Sequence, residues 1–113
     1  MHNNTRMTKN DYIDQSLRQI DNDFIKALAE PVRIEILKHL VVHGSSGVRD
    51  LADRMPQDRS VISRHLALME KAGILSVKKE GRHVIYSVDG EQSLRKSEQI
   101  VNTIRECLEH GCC

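Results

Sequence analysis

The chain has 113 residues, of which 17 are Lys or Arg and 16 are Asp or Glu, giving a formal net charge of +1. This length fits one domain and is too short for two separate cores. Apolar residues make up 39% of the chain and charged residues 29%, which excludes the composition of a disordered protein. No apolar run approaches the ~20 residues of a bilayer span, and the N-terminus lacks a signal-peptide pattern, so the sequence predicts a cytoplasmic protein.

The charged residues are unevenly distributed along the chain. Residues 1–48 carry six basic and six acidic residues, and residues 84–113 carry three basic and five acidic residues. Residues 49–83 carry eight Lys and Arg against five Asp and Glu, so the middle of the chain is basic. A basic centre is compatible with nucleic-acid binding but does not prove it, because such charges also occur on solvated surfaces.

The first half of the chain begins with a polar stretch, residues 1–10, which predicts a flexible N-terminal tail. From Asp11 onward, apolar residues recur at the spacing of one helical face and predict a single amphipathic helix. These apolar positions are Ile13, Leu17, Ile20, Phe24, Ile25 and Leu28. Pro31 fits the first turn of a second helix, because the N–H that proline lacks has no partner there, and this helix stops near Gly44.

Two further helices are predicted in the basic middle of the chain. A short third helix runs from Val48 to Met55. Asp58 is expected to cap a fourth helix, from Arg59 to about Ala72, by accepting a hydrogen bond from a free N–H of the first turn. Gly73 is expected to end this helix, because glycine readily adopts the left-handed backbone found at helix termini.

Beyond Gly73 the apolar pattern changes from that of helices to that of strands. Segments 75–79 and 83–88 are rich in β-forming residues and flank Glu80-Gly81-Arg82, which predicts a hairpin. A final helix is predicted from about Glu91, ending at Gly111. Its apolar stripe consists of Leu94, Val101, Ile104 and Leu108, with Ile100 and Cys107 beside it.

This order of elements predicts a mostly α winged helix-turn-helix fold with a small β-hairpin. The first and last helices each keep an apolar stripe with no second layer to cover it, so we predict a homodimer paired through these two helices. The predicted dimer interface consists of Ile13, Leu17, Ile20, Val101, Ile104 and Leu108. The DNA-binding and dimerisation domain then spans residues 11–110, between the N-terminal tail 1–10 and a cysteine-containing C-terminal tail, residues 111–113.

Several segments match a known family in order and spacing. They are residues 27–37 (ALAEPVRIEIL), 60–66 (SVISRHL), 72–75 (AGIL), and 80–82 (EGR) running into 86–88 (YSV). Through them, residues 13–108 resemble the ArsR/SmtB family of small metal- and metalloid-responsive bacterial repressors. The resemblance implies a dimeric repressor that binds double-stranded operator DNA and releases it on binding an inducer. We expect the operator to be an inverted repeat that mirrors the two-fold symmetry of a dimer.

The candidate DNA-binding residues lie on the fourth helix and the hairpin. The N-terminal half of a recognition helix enters the major groove, where Arg can bridge two guanine acceptors and Ser can reach a base edge or a phosphate. The helix residues are Arg59, Ser60, Ser63, Arg64 and His65. The cluster Lys78, Lys79 and Arg82 at the hairpin is better suited to phosphate contact than to base recognition.

The three cysteines are the candidate inducer site. Cys107 lies in the last turn of the final helix, and Gly111 is able to turn the chain so that Cys112 and Cys113 approach it. Three converging thiolates suit a soft trivalent centre such as arsenic or antimony. Some arsenic-responsive members of the family are similar in carrying C-terminal cysteines, including an adjacent pair.

Other sensing sites of the family are missing from this sequence. The arsenic-type cysteines before Asp-Leu on the third helix are replaced by Gly47 and Arg49. The zinc-type ligands on the final helix are replaced by Gly90, Gln92, Thr103 and Glu106. The persulfide-sensing type needs a cysteine on the second helix, which has none.

Alternatives for the cysteines and histidines remain open at this point. Glu106, Glu109 and the helix C-terminal dipole oppose a thiolate, which weakens thiol-oxidation sensing more than metalloid binding. His110 would complete a Cys₃His set suited to zinc or cadmium, and the cysteines could also be unused thiols. Glu35, His39 and His43 share one helix face and could hold a divalent ion, although such rows are more often solvated.

Two other classes of protein compete with a DNA-binding repressor. An enzyme is not predicted, because the sequence contains no nucleophile–base set, no phosphate-cradling glycine loop and no paired carboxylates in an apolar setting. A winged-helix module that binds proteins without binding DNA has the same element order and is the stronger competitor.

Overall fold

The computed structural model describes residues 6–111, which form six α-helices and one antiparallel hairpin. The elements are α1 (Lys9–Arg18), α2 (Asn22–Leu28), α3 (Pro31–His43), α4 (Val48–Arg54), α5 (Arg59–Lys71), β1 (Leu75–Glu80), β2 (His83–Val88) and α6 (Gly90–Glu109). Residues 22–93 form one compact unit, and α1 with the part of α6 from Leu94 onward forms a second. Within 6–111, no helix combines the length and the hydropathy that a bilayer crossing requires.

The core of the unit 22–93 contains one aromatic residue, Phe24, since the whole chain has only one Phe, two Tyr and no Trp. Its buried apolar side chains are Phe24, Ala27, Ile36, Leu40, Leu51, Met55, Ile62, Leu66, Met69, Ala72, Ile74 and Leu75. α5 contributes Ile62, Leu66 and Met69, which lie on one face of the helix and are fully buried. Because burial of each such side chain stabilises the fold by about 1.5–3 kcal/mol, this face fixes where α5 lies in the unit.

The hairpin has the predicted position, with β1 and β2 paired from Leu75 opposite Val88 to Glu80 opposite His83. Gly81 has a φ of 64°, the left-handed conformation that a tight turn needs and that glycine adopts without strain. A further bridge was not predicted. Ser46 N donates to Tyr86 O at 3.0 Å and Tyr86 N donates to Ser46 O at 2.9 Å, so the connection before α4 pairs with β2.

The predicted single helix from Asp11 to Leu28 is wrong, because the chain forms α1 and α2 with a break between Arg18 and Asn22. The last turn of α1 tightens, with Gln19 N donating to Ser16 O at 3.2 Å. The physical reason is that the two ends of this stretch pack into different units of the chain. Ser16 is buried in the unit of α1 and α6, whereas Phe24 is buried in the unit 22–93.

α1 begins at Lys9, before its predicted start at Asp11, because Thr8 and Asp11 form a capping box. Thr8 Oγ1 accepts from Asp11 N at 3.1 Å, and Asp11 Oδ2 accepts from Thr8 N at 2.9 Å. The backbone hydrogen bond from Thr8, with a smaller contribution from its side chain, holds the pKa of Asp11 below its ordinary value.

The predicted side-chain cap of α5 is also wrong. Asp58 occupies the N-cap position, and its carbonyl accepts from Ile62 N at 3.0 Å, but its side chain makes no capping hydrogen bond. Asp58 is exposed, so water can solvate the carboxylate where a helix N–H was expected to bind it. The predicted stop of α5 is confirmed by Gly73, whose φ is 83°.

In the second unit, three specific contacts connect the segment of α1 with α6 and the residue that follows it. Thr103 is buried, and its hydroxyl lies 3.0 Å from Ser16 O and 2.9 Å from Gln99 O, both acceptors. Lys96 forms an ion pair with Asp21. At the other end of the pair, the rings of Tyr12 and His110 stack with centroids 4.5 Å apart.

Replacing Thr103 with valine is expected to destabilise the protein by about 1–1.5 kcal/mol, because the buried Ser16 carbonyl loses one of its two donors, leaving only Gln19 N, while the side-chain volume is kept. Urea denaturation at fixed protein concentration measures this change. The matched control is Thr103→Ser, which keeps the donor and is expected to cost less than about 1 kcal/mol. Equal losses in the two variants would contradict a role for the hydroxyl.

Candidate nucleic-acid interface and thiol site

The N-terminal half of α5 presents four of the predicted residues to solvent. Arg59, Ser60, Ser63 and Arg64 are all exposed, while Ile62 between them is fully buried. Helical periodicity explains this division, since residues three and four positions apart share a face. The structure therefore brings these four side chains together on one end and one side of the helix.

His65 differs from the other four candidates, because its ring is half-buried. His65 Nδ1 lies 3.2 Å from Nη1 of Arg33 on α3. Burial, followed by the positive charge of Arg33, lowers the pKa of His65, and the smaller effect of Glu30 opposes this shift. His65 thus has a partner inside the unit, and no local sequence pattern indicates this contact.

The hairpin exposes Lys78, Lys79 and Arg82. Lys78 pairs opposite Ile85 and Lys79 opposite Val84, so consecutive lysines point to opposite faces of the hairpin. Lys78 Nζ lies 3.8 Å from Glu80 Oε2, which partly offsets its charge. The structure therefore spreads these charges over both faces and the turn of the hairpin.

A groove of about 450 Å³ lies between the start of α4 and β2. Arg49, Arg82 and His83 line it, together with the carboxylate of Asp50. Gly47 lies where the two elements approach each other, and a Cβ there would make an ordinary van der Waals contact, 3.4 Å from the carbonyl oxygen of Val84. Arg49 was not among the predicted binding residues, although the basic part of the sequence begins with it.

The thiol site is described only in part. Cys107 is a half-buried free thiol on α6, and Cys112 and Cys113 lie outside the described residues. Beside Cys107 in sequence, Glu106 Oε2 lies 3.8 Å from Nε2 of His110, whose ring stacks on Tyr12. Within residues 6–111, no three His, Cys, Asp or Glu side chains are grouped so that they could hold a metal ion.

The row Glu35, His39 and His43 makes contacts within itself and does not converge on a common point. Glu35 Oε2 lies 3.4 Å from His39 Nε2, and the rings of His39 and His43 stack with centroids 5.7 Å apart. Burial, then the nearby charge of Arg54, lowers the pKa of His43. Glu35 and His39 are half-buried and His43 is exposed, so the three side chains make local contacts along α3.

The predicted dimer residues form an apolar surface in the unit of α1 and α6. Leu17, Val101, Ile104 and Leu108 are 51%, 45%, 55% and 54% exposed, respectively. Ile13 and Ile20 are half-buried. Large apolar side chains at this exposure on consecutive turns form an uncovered stripe, which is typical of a surface that binds another protein or a second copy.

Residues 25–92 of the chain match the family described as HVO_A0114. The chain is 34% identical to the cadmium resistance transcriptional regulatory protein CadC homolog of Staphylococcus aureus, over 76% of this chain and 71% of that protein. It is 30% identical to the arsenical resistance operon repressor of Bacillus subtilis, over 86% of this chain and 92% of that protein.

The same fold occurs in a solved structure, the ArsR-like transcriptional regulator from Rhodococcus sp. RHA1. The two structures superpose with a TM-score of 0.70 at 24% identity, over 81% of this chain and 85% of that one. The predicted winged helix-turn-helix fold is thereby confirmed.

Proposed function

The chain belongs to the ArsR/SmtB family of winged helix-turn-helix transcriptional regulators, and we propose that it leaves its operator on binding trivalent arsenic or antimony. As a member of this family it is a DNA-binding repressor and not an enzyme. The observation that best supports DNA binding through α5 is the difference between the two faces of this helix. One face is fixed in the core, and the other presents Arg59, Ser60, Ser63 and Arg64 to solvent.

We infer that the exposed face of α5 reads bases in the major groove. Arg59 and Arg64 are exposed guanidinium groups able to bridge the two acceptors of guanine, and the serines reach base edges or phosphates. We assign the hairpin lysines, Arg82 and the groove residue Arg49 to the DNA phosphates. Contacts of this kind position the protein on the duplex and carry no sequence information. His65 is assigned to neither group, since its ring is engaged with Arg33.

Arg64→Ala is expected to weaken operator binding by about 1–3 kcal/mol and to relax base preference at one position of each half-site. Lys79→Ala, the matched comparison on the hairpin, is expected to weaken all sequences about equally and to reduce the salt dependence of binding. Fluorescence anisotropy with a duplex selected from a random-sequence pool, and with scrambled DNA, measures both effects. Equal loss on both duplexes for Arg64→Ala would remove Arg64 from base recognition.

We propose that a second copy of the chain covers the apolar stripe of α1 and α6. Four side chains about half exposed on this unit leave apolar area in water, and an isologous contact would bury both copies of it at once. A dimer also places two copies of α5 on DNA, which matches an inverted repeat. A homodimeric winged helix-turn-helix DNA-binding domain from Mycobacterium bovis, 22% identical to this chain, has the same fold.

Ile104→Glu is expected to convert the dimer to monomer, because it places an unpaired charge in an apolar interface. Sedimentation equilibrium at micromolar protein concentration measures the change. Asn102→Glu is the matched control, since it adds the same charge on α6 at an exposed position within reach of Arg105. A wild-type monomer, or equal dissociation of the two variants, would contradict the proposed interface.

The proposed inducer follows from the chemistry of sulfur ligands. Cys107, Cys112 and Cys113 supply three thiols, and arsenous acid can exchange its three hydroxyl groups for three sulfur ligands, each thiol proton leaving with a hydroxyl group as water. Cys107, near the end of α6, is half-buried, so its thiol is partly accessible from solvent. The relatives include regulators of both arsenical and cadmium resistance, so zinc, cadmium and thiol oxidation are the alternatives that an experiment must separate.

The release mechanism we propose acts through α6. This helix begins at Gly90, directly after β2 in the unit that carries the hairpin, and ends in the unit that carries the apolar stripe. At its end, His110 stacks on Tyr12, and Lys9 Nζ lies 3.4 Å from the carbonyl oxygen of Gly111. Sulfur–metalloid bonds to Cys107 would compete with these contacts. Release requires that the metalloid bind the DNA-free conformation more tightly than the DNA-bound one.

Arsenite is expected to dissociate the wild-type protein from its operator, and truncation after His110 is expected to give a repressor that stays bound. Cys107→Ser should blunt the response while leaving DNA affinity unchanged, because it removes one ligand. Glu98→Gln, an exposed carboxylate earlier on the same helix, is the control and should respond as wild type. Operator binding titrated with arsenite, antimonite, zinc, cadmium and peroxide in parallel identifies the inducer. Normal release of the truncated protein by arsenite would place the site elsewhere.

A further inference from the structure

The guanidinium of Arg33 connects three helices of the unit 22–93. Its Nε donates to Ala27 O at 2.7 Å, and its Nη2 donates to Lys26 O at 3.0 Å. These carbonyls belong to the last turn of α2, where carbonyl oxygens lack the i+4 donor of a regular helix, and the Lys26 oxygen also accepts from Ala29 N at 3.2 Å. The remaining nitrogen, Nη1, donates to Nδ1 of His65 on α5 at 3.2 Å. One side chain on α3 therefore caps α2 and holds α5 at the same time.

We propose that Arg33 and His65 are positioning residues for DNA recognition, forming a polar lock that sets the orientation of α5 and is closed only while His65 is neutral. This inference rests on DNA binding by α5 and is independent of the identity of the inducer. The buried side chains Ile62 and Leu66 hold α5 against the core, but apolar contacts are not directional. The hydrogen bond to His65 is directional. His65 directly follows Arg64 in the sequence, so this bond acts beside a proposed base-reading residue.

The protonation state of His65 follows from its partner. A guanidinium has only N–H donors, so Nδ1 must offer a lone pair and the ring proton must lie on Nε2. A second proton, on Nδ1, would replace the hydrogen bond by two facing donors of like charge. Acidification therefore opens the lock.

The groups around His65 determine the pH at which the lock opens. Burial, Arg33 on α3 and Arg64 on α5 lower the pKa of His65 below its ordinary value of 6.5, and Glu30, at the start of α3, raises it by less. The contribution of the lock to the placement of α5 is thus fully present above pH 6.5 and is lost as the pH falls through the lowered pKa. At neutral pH the lock is closed.

The variant His65→Asn separates the lock from simple packing. Its Oδ1 can accept the hydrogen bond from Arg33 in the place of Nδ1, but it cannot take up a proton near neutral pH. We expect this variant to bind a selected operator duplex within about twofold of wild type at pH ~7.5. His65→Ala loses the acceptor and is expected to bind roughly tenfold more weakly at this pH.

The measurement is operator affinity by fluorescence anisotropy from pH ~7.5 to ~5.5 at constant ionic strength. Relative to His65→Asn, wild type is expected to lose affinity by roughly tenfold as His65 is protonated. His43→Asn, at the exposed end of α3 and outside the proposed DNA contacts, is the control and should keep the wild-type decline, because it leaves the lock intact. The salt dependence should be alike in wild type and His65→Asn, since neither change touches a phosphate contact.

NMR titration of His65 in the DNA-free wild-type protein is the second measurement. We expect an unprotonated Nδ1 at neutral pH and a titration midpoint below 6.5. The proposal is overturned by a protonated Nδ1 at neutral pH, or by a pH dependence of His65→Asn equal to that of wild type. It is also overturned if His65→Ala binds as wild type does. If wild type selects no duplex at any pH, DNA binding itself fails, which is a different outcome from failure of the lock.

Discussion

The burial of one face of α5 is the constraint on which the rest of this molecule depends. Ile62, Leu66 and Met69 are fully enclosed by the core of the unit 22–93, so the side chains that alternate with them must face water. Arg59, Ser60, Ser63 and Arg64 are exposed for this reason, which leaves them accessible for the proposed DNA contacts. Substitutions that loosen the core are therefore expected to disturb the proposed DNA contacts without changing any of these four residues.

The parts of the fold that could be predicted are those governed by local rules. Gly44, Gly73 and Gly111 have φ values of 85°, 83° and 77°, and each follows a helix that the apolar pattern had already placed. The hairpin could be placed from two β-rich segments separated by a glycine turn. In these places the composition of a few neighbouring residues decides the backbone.

The parts that could not be predicted depend on residues far apart in sequence. The apolar spacing of residues 11–28 is continuous, and only the assignment of Ser16 and Phe24 to different units explains the break. The bridge between Ser46 and Tyr86 and the contact between Arg33 and His65 likewise join distant segments. His65 directly follows Arg64 in the N-terminal half of α5, so its position in the sequence resembles that of the other DNA-binding candidates. No local pattern shows that its ring is hydrogen-bonded to Arg33 on α3.

On these proposals, two separate groups of contacts control DNA binding in this chain. The proposed lock between Arg33 and His65 lies inside the unit that carries α5 and would fix the orientation of a single recognition helix. The contacts at the end of α6, including the stack of Tyr12 and His110, lie in the other unit, where a second copy and an inducer are proposed to bind. Because the groups share no residue, their effects on operator affinity should be close to additive in free energy. An inducer that changes the dimer would then lower the operator affinity of the lock-closed and lock-open forms by the same factor. Acidification would therefore weaken operator binding without altering the fold-change that the inducer causes.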